Sequence, residues 1–125
     1  MRLSKHFTST ELACKGQSCC SHSAPMSTRL IYGLEILREK AKAPLHINSG
    51  FRCITHNKEI EGAAEFSKHI LGIAADVRTP LGYTDEEFYA LALQINVFKG
   101  VGIYKGRIHV DVRDEDERVT WDSRS

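Results

Sequence analysis

Gly100-Val101-Gly102-Ile103-Tyr104-Lys105-Gly106-Arg107-Ile108-His109-Val110-Asp111-Val112-Arg113 is the stretch on which the fold turns. Two β-prone runs flank the pair Lys105-Gly106, and so short a connection joins adjacent strands as an antiparallel hairpin. Alternation in the second run sets Ile108, Val110 and Val112 on one face, and Arg107, His109, Asp111 and Arg113 on the other. One side of the sheet is thus a core surface. The other carries four polar side chains in a row.

Working outward, Gly72–Arg78 predicts a second strand with Ile73, Ala75 and Val77 toward the core and Ala74, Asp76 and Arg78 on the polar side, stopped by Thr79-Pro80. Thr84-Asp85-Glu86-Glu87 is a capping box, and Phe88, Leu91, Ala92 and Ile95 fall on one face of a helix over about 84–97. Upstream, Leu30, Leu34, Leu37 and Ala41 mark an amphipathic helix over about 27–42, which Pro44 prevents from continuing. Leu45–Ser49 reads as a short strand leading into Gly50-Phe51-Arg52-Cys53, and a short helix is expected within Thr55–Glu61. Residues 1–25 read as an irregular N-terminal arm, and 114–125 as a charged, solvated tail. The expectation is one α+β domain with a small antiparallel sheet and helices packed on its apolar face.

Composition agrees. The 125 residues are 42% hydrophobic and 26% charged, as in ordinary globular domains, which excludes a disordered chain and two large domains. Seventeen Lys and Arg against sixteen Asp and Glu leave a net charge of +1 and no general pull toward nucleic acid or anionic lipid. No apolar run reaches signal-peptide or membrane-spanning length, so synthesis in the cytoplasm without membrane insertion is expected. Oligomeric state is not legible, and a monomer is the default. Cys14, Cys19, Cys20 and Cys53 lack a clean C-x-x-C pair, which leaves free thiols, a disulfide or a second, structural zinc site open.

Residues two apart on a strand lie about 6.5–7 Å apart, so His109 and Asp111 can approach one centre. If the two strands are neighbours, Asp76 meets His109, small Ala74 leaves room beside them, and His69 lies just upstream. Two imidazoles, a carboxylate and a water form a tetrahedral zinc site with the open position that catalysis requires. The bland alternative has His69 at a turn, Asp76 in a surface ion pair and His109 on a solvated face.

Ser67-Lys68-His69-Ile70-Leu71-Gly72-Ile73-Ala74-Ala75-Asp76 resembles the S-x-H-x-x-G-x-A-x-D signature of the zinc D-Ala-D-Ala carboxypeptidase and phage endolysin family, matching all its fixed positions. Ser49-Gly50-Phe51-Arg52, His56-Asn57 and Ile108-His109-Val110-Asp111 resemble further elements of that family, so the likeness covers roughly residues 27–113. The resemblance implies that His69, Asp76 and His109 bind Zn2+, that Arg52 binds or orients a substrate carboxylate or carbonyl, and that Ser67 lies at the substrate or bonds locally. His56 is read as structural. Many family members place a general-base glutamate three residues before the last histidine, where this chain has Gly106. Asp111 is the available substitute, either as general base or as the partner that holds an imidazole. The implied activity is hydrolysis of peptide bonds in peptidoglycan at the cell wall, lysin-like, after release from the cytoplasm or as a phage component. The competing expectation is a non-catalytic zinc domain used for wall binding or virion assembly.

Overall fold

The computed structural model describes residues 4–7, 12, 27–50, 73–114 and 116–124. Among them are two helices, α1 (Thr28–Ala41) and α2 (Asp85–Leu93), and five strands, β1 (Ile47–Ser49), β2 (Ala74–Arg78), β3 (Gly100–Tyr104), β4 (Arg107–Asp111) and β5 (Val119–Asp122). The strands form a single sheet in the order β1-β2-β4-β3-β5. Neither helix is long and apolar enough to cross a membrane.

Helix α1 begins where Ser27 accepts the Leu30 amide on its side chain and ends where Lys42 turns left-handed at φ 54°. Leu30, Leu34, Leu37 and Ala41 are buried, as their spacing predicts. Helix α2 carries the expected capping box, with Thr84 and Glu87 each holding the other's backbone amide. It is shorter than its apolar period suggests. The guanidinium of Arg118 takes the carbonyls of Leu93, Ile95 and Phe98, which supplies partners for backbone oxygens that no further helical turn pairs.

Both helices bury their apolar stripes with Ala75 and Val77 of β2, Val101 of β3 and Ile108 and Val110 of β4. Phe7 and Leu12, isolated apolar residues that show no period, are fully enclosed in the same core. Glu35 of α1 holds the stretch ahead of them by accepting from the Ser4 hydroxyl and the His6 amide.

Two expectations need correction. The sheet is mixed rather than antiparallel, because β5 runs parallel to β3. The segment read as a charged, solvated tail supplies that strand. Val119-Thr120-Trp121 favours extended backbone, and the outer edge of β3 offers amides and carbonyls that must otherwise be met by water. The Val119 amide bonds the Lys99 carbonyl at 2.8 Å, and the Ser123 amide bonds that of Ile103 at 2.8 Å.

Candidate metal centre

The polar face of the sheet is ordered by its register. Ala74 of β2 pairs with Asp111 of β4, Asp76 with His109, and Arg78 with Arg107. Across the hairpin, Asp111 faces Gly100, His109 faces Gly102, and Arg107 faces Tyr104. Trp121 of β5 stands opposite Gly102. Three rows therefore cross the sheet, with Asp76, His109, Gly102 and Trp121 in the middle one.

The middle row brings an imidazole and a carboxylate together, with Nδ1 of His109 3.1 Å from Oδ1 of Asp76. Its other nitrogen, Nε2, is 2.7 Å from Oδ2 of Asp111. Asp111 is fully enclosed and His109 only 8% exposed. Arg113 grips Asp111 from the strand's continuation: its Nη2 donates to Oδ2 at 2.7 Å, its Nε to Oδ1 at 2.9 Å, and its backbone amide to Oδ1 at 3.1 Å. Burial would raise the Asp111 pKa, but the hydrogen bonds from Arg113 and His109 outweigh it and hold the carboxyl far below the usual carboxylate range. Burial likewise opposes a charge on His109, yet its hydrogen bonds to Asp111 and Asp76 and their negative charges shift it upward.

Two glycines make this crowding possible. A methyl group on Gly100 would strike the Asp111 carboxylate, and one on Gly102 would strike the Trp121 indole. The indole fills the space that Gly102 leaves and lies 5.1 Å from the His109 ring, tilted by 46°. The Arg113 guanidinium is 5.5 Å from the same indole. Trp121 Nε1 donates to the Tyr104 hydroxyl at 2.8 Å, and Arg107 lies over the Tyr104 ring at 4.4 Å.

The donor pair fits the expected zinc. A carboxylate oxygen and an imidazole nitrogen are both zinc donors, and Asp76 and His109 hold theirs 3.1 Å apart. A carboxylate on the far nitrogen of a metal-binding imidazole is the usual supporting partner, and Asp111 occupies that position. His69, Arg52 and Ser67 lie outside the described residues, as do His56 and the four cysteines. Among the described residues no group of three or more His, Cys, Asp or Glu side chains is arranged to hold a metal ion.

Gly106 has a local reason. It occupies the hairpin turn at φ 80°, a left-handed conformation in which glutamate would be strained. Its amide donates to Asp85 at 3.1 Å, and its carbonyl accepts from Thr79 at 2.9 Å. The hairpin turn thus displaces any general base from this position. Sequence reading missed two participants, Arg113 as the clamp on Asp111 and Trp121 as a wall beside His109. Alternation had placed Arg113 on the correct face, whereas Trp121 lay in the presumed tail.

The family described as Peptidase M15 matches residues 5–113. No curated protein matches the chain. The match ends before β5, so Trp121 lies beyond the residues it covers.

Proposed function

This chain belongs to the Peptidase M15 family, and on that premise we propose that it is a zinc-dependent peptidase that hydrolyses peptide bonds of bacterial peptidoglycan at the cell wall. The observation that carries the reading is the paired Asp76 and His109, whose carboxylate and imidazole face each other at 3.1 Å on one side of the sheet. His69, seven residues before Asp76 in the matching signature, would complete the ligand set. Held by these residues, zinc would supply an acidified water and polarisation of the scissile carbonyl.

The protein's own residues set the conditions for that chemistry. Asp111 engages Nε2 of His109 and thereby orients the ring so that Nδ1 faces Asp76. Arg113 keeps Asp111 ionised and fixed through its two side-chain contacts. Both Asp111 oxygens are thus engaged, and a carboxylate of such low basicity is a poor proton acceptor. Of the two roles open to Asp111, these surroundings favour positioning over general-base catalysis. Arg52 would orient the substrate carbonyl or carboxylate with its fork of donors, and Ser67 would contact the substrate or bond locally.

Gly106 in place of the family glutamate favours the second reading, a zinc domain that binds the wall without cutting it. Digestion of purified peptidoglycan separates the two. Chelator-sensitive release of new amino termini, restored by zinc, is expected of the peptidase. Wall binding with no new termini at any pH or metal supply would overturn it.

A further inference from the structure

Beyond the Asp76–His109 pair, toward the hairpin turn, the next row of the same face is Arg78, Arg107 and Tyr104. Two arginines directly opposite each other on neighbouring strands repel. Among the described residues, neither has a carboxylate partner. The other arginines of this part of the sheet are paired: Arg113 grips Asp111, Arg118 takes three backbone carbonyls, and Arg124 pairs with Asp122 and Glu86. Arg107 is nevertheless held in place, its guanidinium lying 4.4 Å over the Tyr104 ring. Tyr104 is anchored in turn by the indole N–H of Trp121. On the other side, Arg78 borders a cavity of about 530 Å³ whose walls include Pro44, His46, Thr79 and Leu81. Arg78 and Arg107 thus stand opposite each other on neighbouring strands, Arg78 beside the concave surface and Arg107 against Tyr104, and two guanidinium groups suit an anion with two oxygens.

We propose that Arg107 and Arg78 form a subsite for a carboxylate group of the peptide substrate, with Tyr104 and Trp121 as positioning residues that hold the Arg107 guanidinium ready. The subsite rests on the peptidase reading in taking a peptide as its ligand. It lies one strand register from the Asp76–His109 pair, so it selects peptides whose carboxylate is close to the bond presented there. Trp121 couples the two rows, touching His109 by ring contact and Tyr104 by hydrogen bond.

The test is binding to the zinc-loaded full chain, read by calorimetry and by fluorescence of Trp121, the chain's one tryptophan. The probes are acetyl-Lys-D-Ala-D-Ala with a free terminal carboxylate, its C-terminal amide, and an amide-terminated peptide with an internal glutamate. A preference of about tenfold or more for a carboxylate-bearing peptide over the plain amide is expected. The glutamate peptide tells a side-chain carboxylate from a terminal one. Arg107→Gln should bring the preference close to one, Arg107→Lys should restore part of it, and Arg78→Gln, at an exposed position, should lower it. Trp121→Phe, which keeps a ring but lacks the N–H, should reduce the preference several-fold. Equal binding of all three peptides by the wild type, or full preference retained in both Arg→Gln variants, overturns the subsite. Selective binding without cleavage would sink the peptidase reading and leave the subsite standing. Cleavage with no carboxylate preference would do the reverse.

Discussion

Asp111 decides how firmly His109 can serve as a ligand. It is enclosed, clamped by Arg113 and bonded to the far nitrogen of the imidazole. Asp111→Asn removes the charge that fixes the ring tautomer, so zinc affinity should fall by about 10–100-fold in competition with a chromophoric chelator. Unchanged affinity with lost turnover would instead restore Asp111 as the general base. Gly102 makes a separate prediction. Gly102→Ala drives a methyl group into the Trp121 indole and should lower stability by about 1–3 kcal/mol, measured as a drop in denaturation midpoint. Trp121→Ala in the same chain should relieve most of that loss. Failure of the double variant to recover would mean the indole does not fill this space.

At the scale of elements, Glu35 ties Ser4 and His6 to α1, and Arg118, just ahead of β5, is tied to the end of α2. Burial opposes ionisation of Glu35, but hydrogen bonds from Ser4 and His6 and the charge of His6 prevail and depress its pKa. A depressed carboxylate stabilises the folded state above its unfolded pKa, and that contribution is lost as pH falls through the folded value. Exchange protection of the His6 amide, which donates to Glu35 at 2.6 Å, should therefore disappear in acid, below the usual carboxylate range. Glu35→Gln should abolish this pH dependence, and a dependence that persists in the variant would assign it elsewhere. Arg118→Ala removes three bonds to carbonyls at the end of α2 and should raise exchange in β5 ahead of global unfolding. These elements also mark what was legible in the sequence. The hairpin and β2 announce themselves by alternation, which sorted Ala75 and Val77 from Asp76, and Ile108 and Val110 from His109, correctly. Strand β5 is four residues long, lies among charges, and pairs with a partner some twenty positions away, so no local period reveals it. Phe7 and Leu12 were opaque for the same reason, since burial of an isolated apolar residue is decided by tertiary packing.

For the whole molecule, a mixed five-stranded sheet separates an apolar core from a polar face, and the register gathers chemistry onto that face in rows. The antiparallel pairing of β2 with β4 brings Asp76 and His109 together there. The same side of the sheet also carries the glycine turn at Gly106, an arginine pair with no carboxylate partner among the described residues, and an indole from beyond the matched residues. The central claim is that Asp76, His109 and His69 converge on one zinc ion, distinct from any site made by the cysteines. X-ray absorption at the zinc edge of the loaded protein tests it most directly. Nitrogen and oxygen neighbours at about 2.0–2.1 Å, two of them imidazoles, with no sulfur and with the signal lost in His109→Ala, are predicted. A shell dominated by sulfur at about 2.3 Å, or one indifferent to His109, would contradict the account.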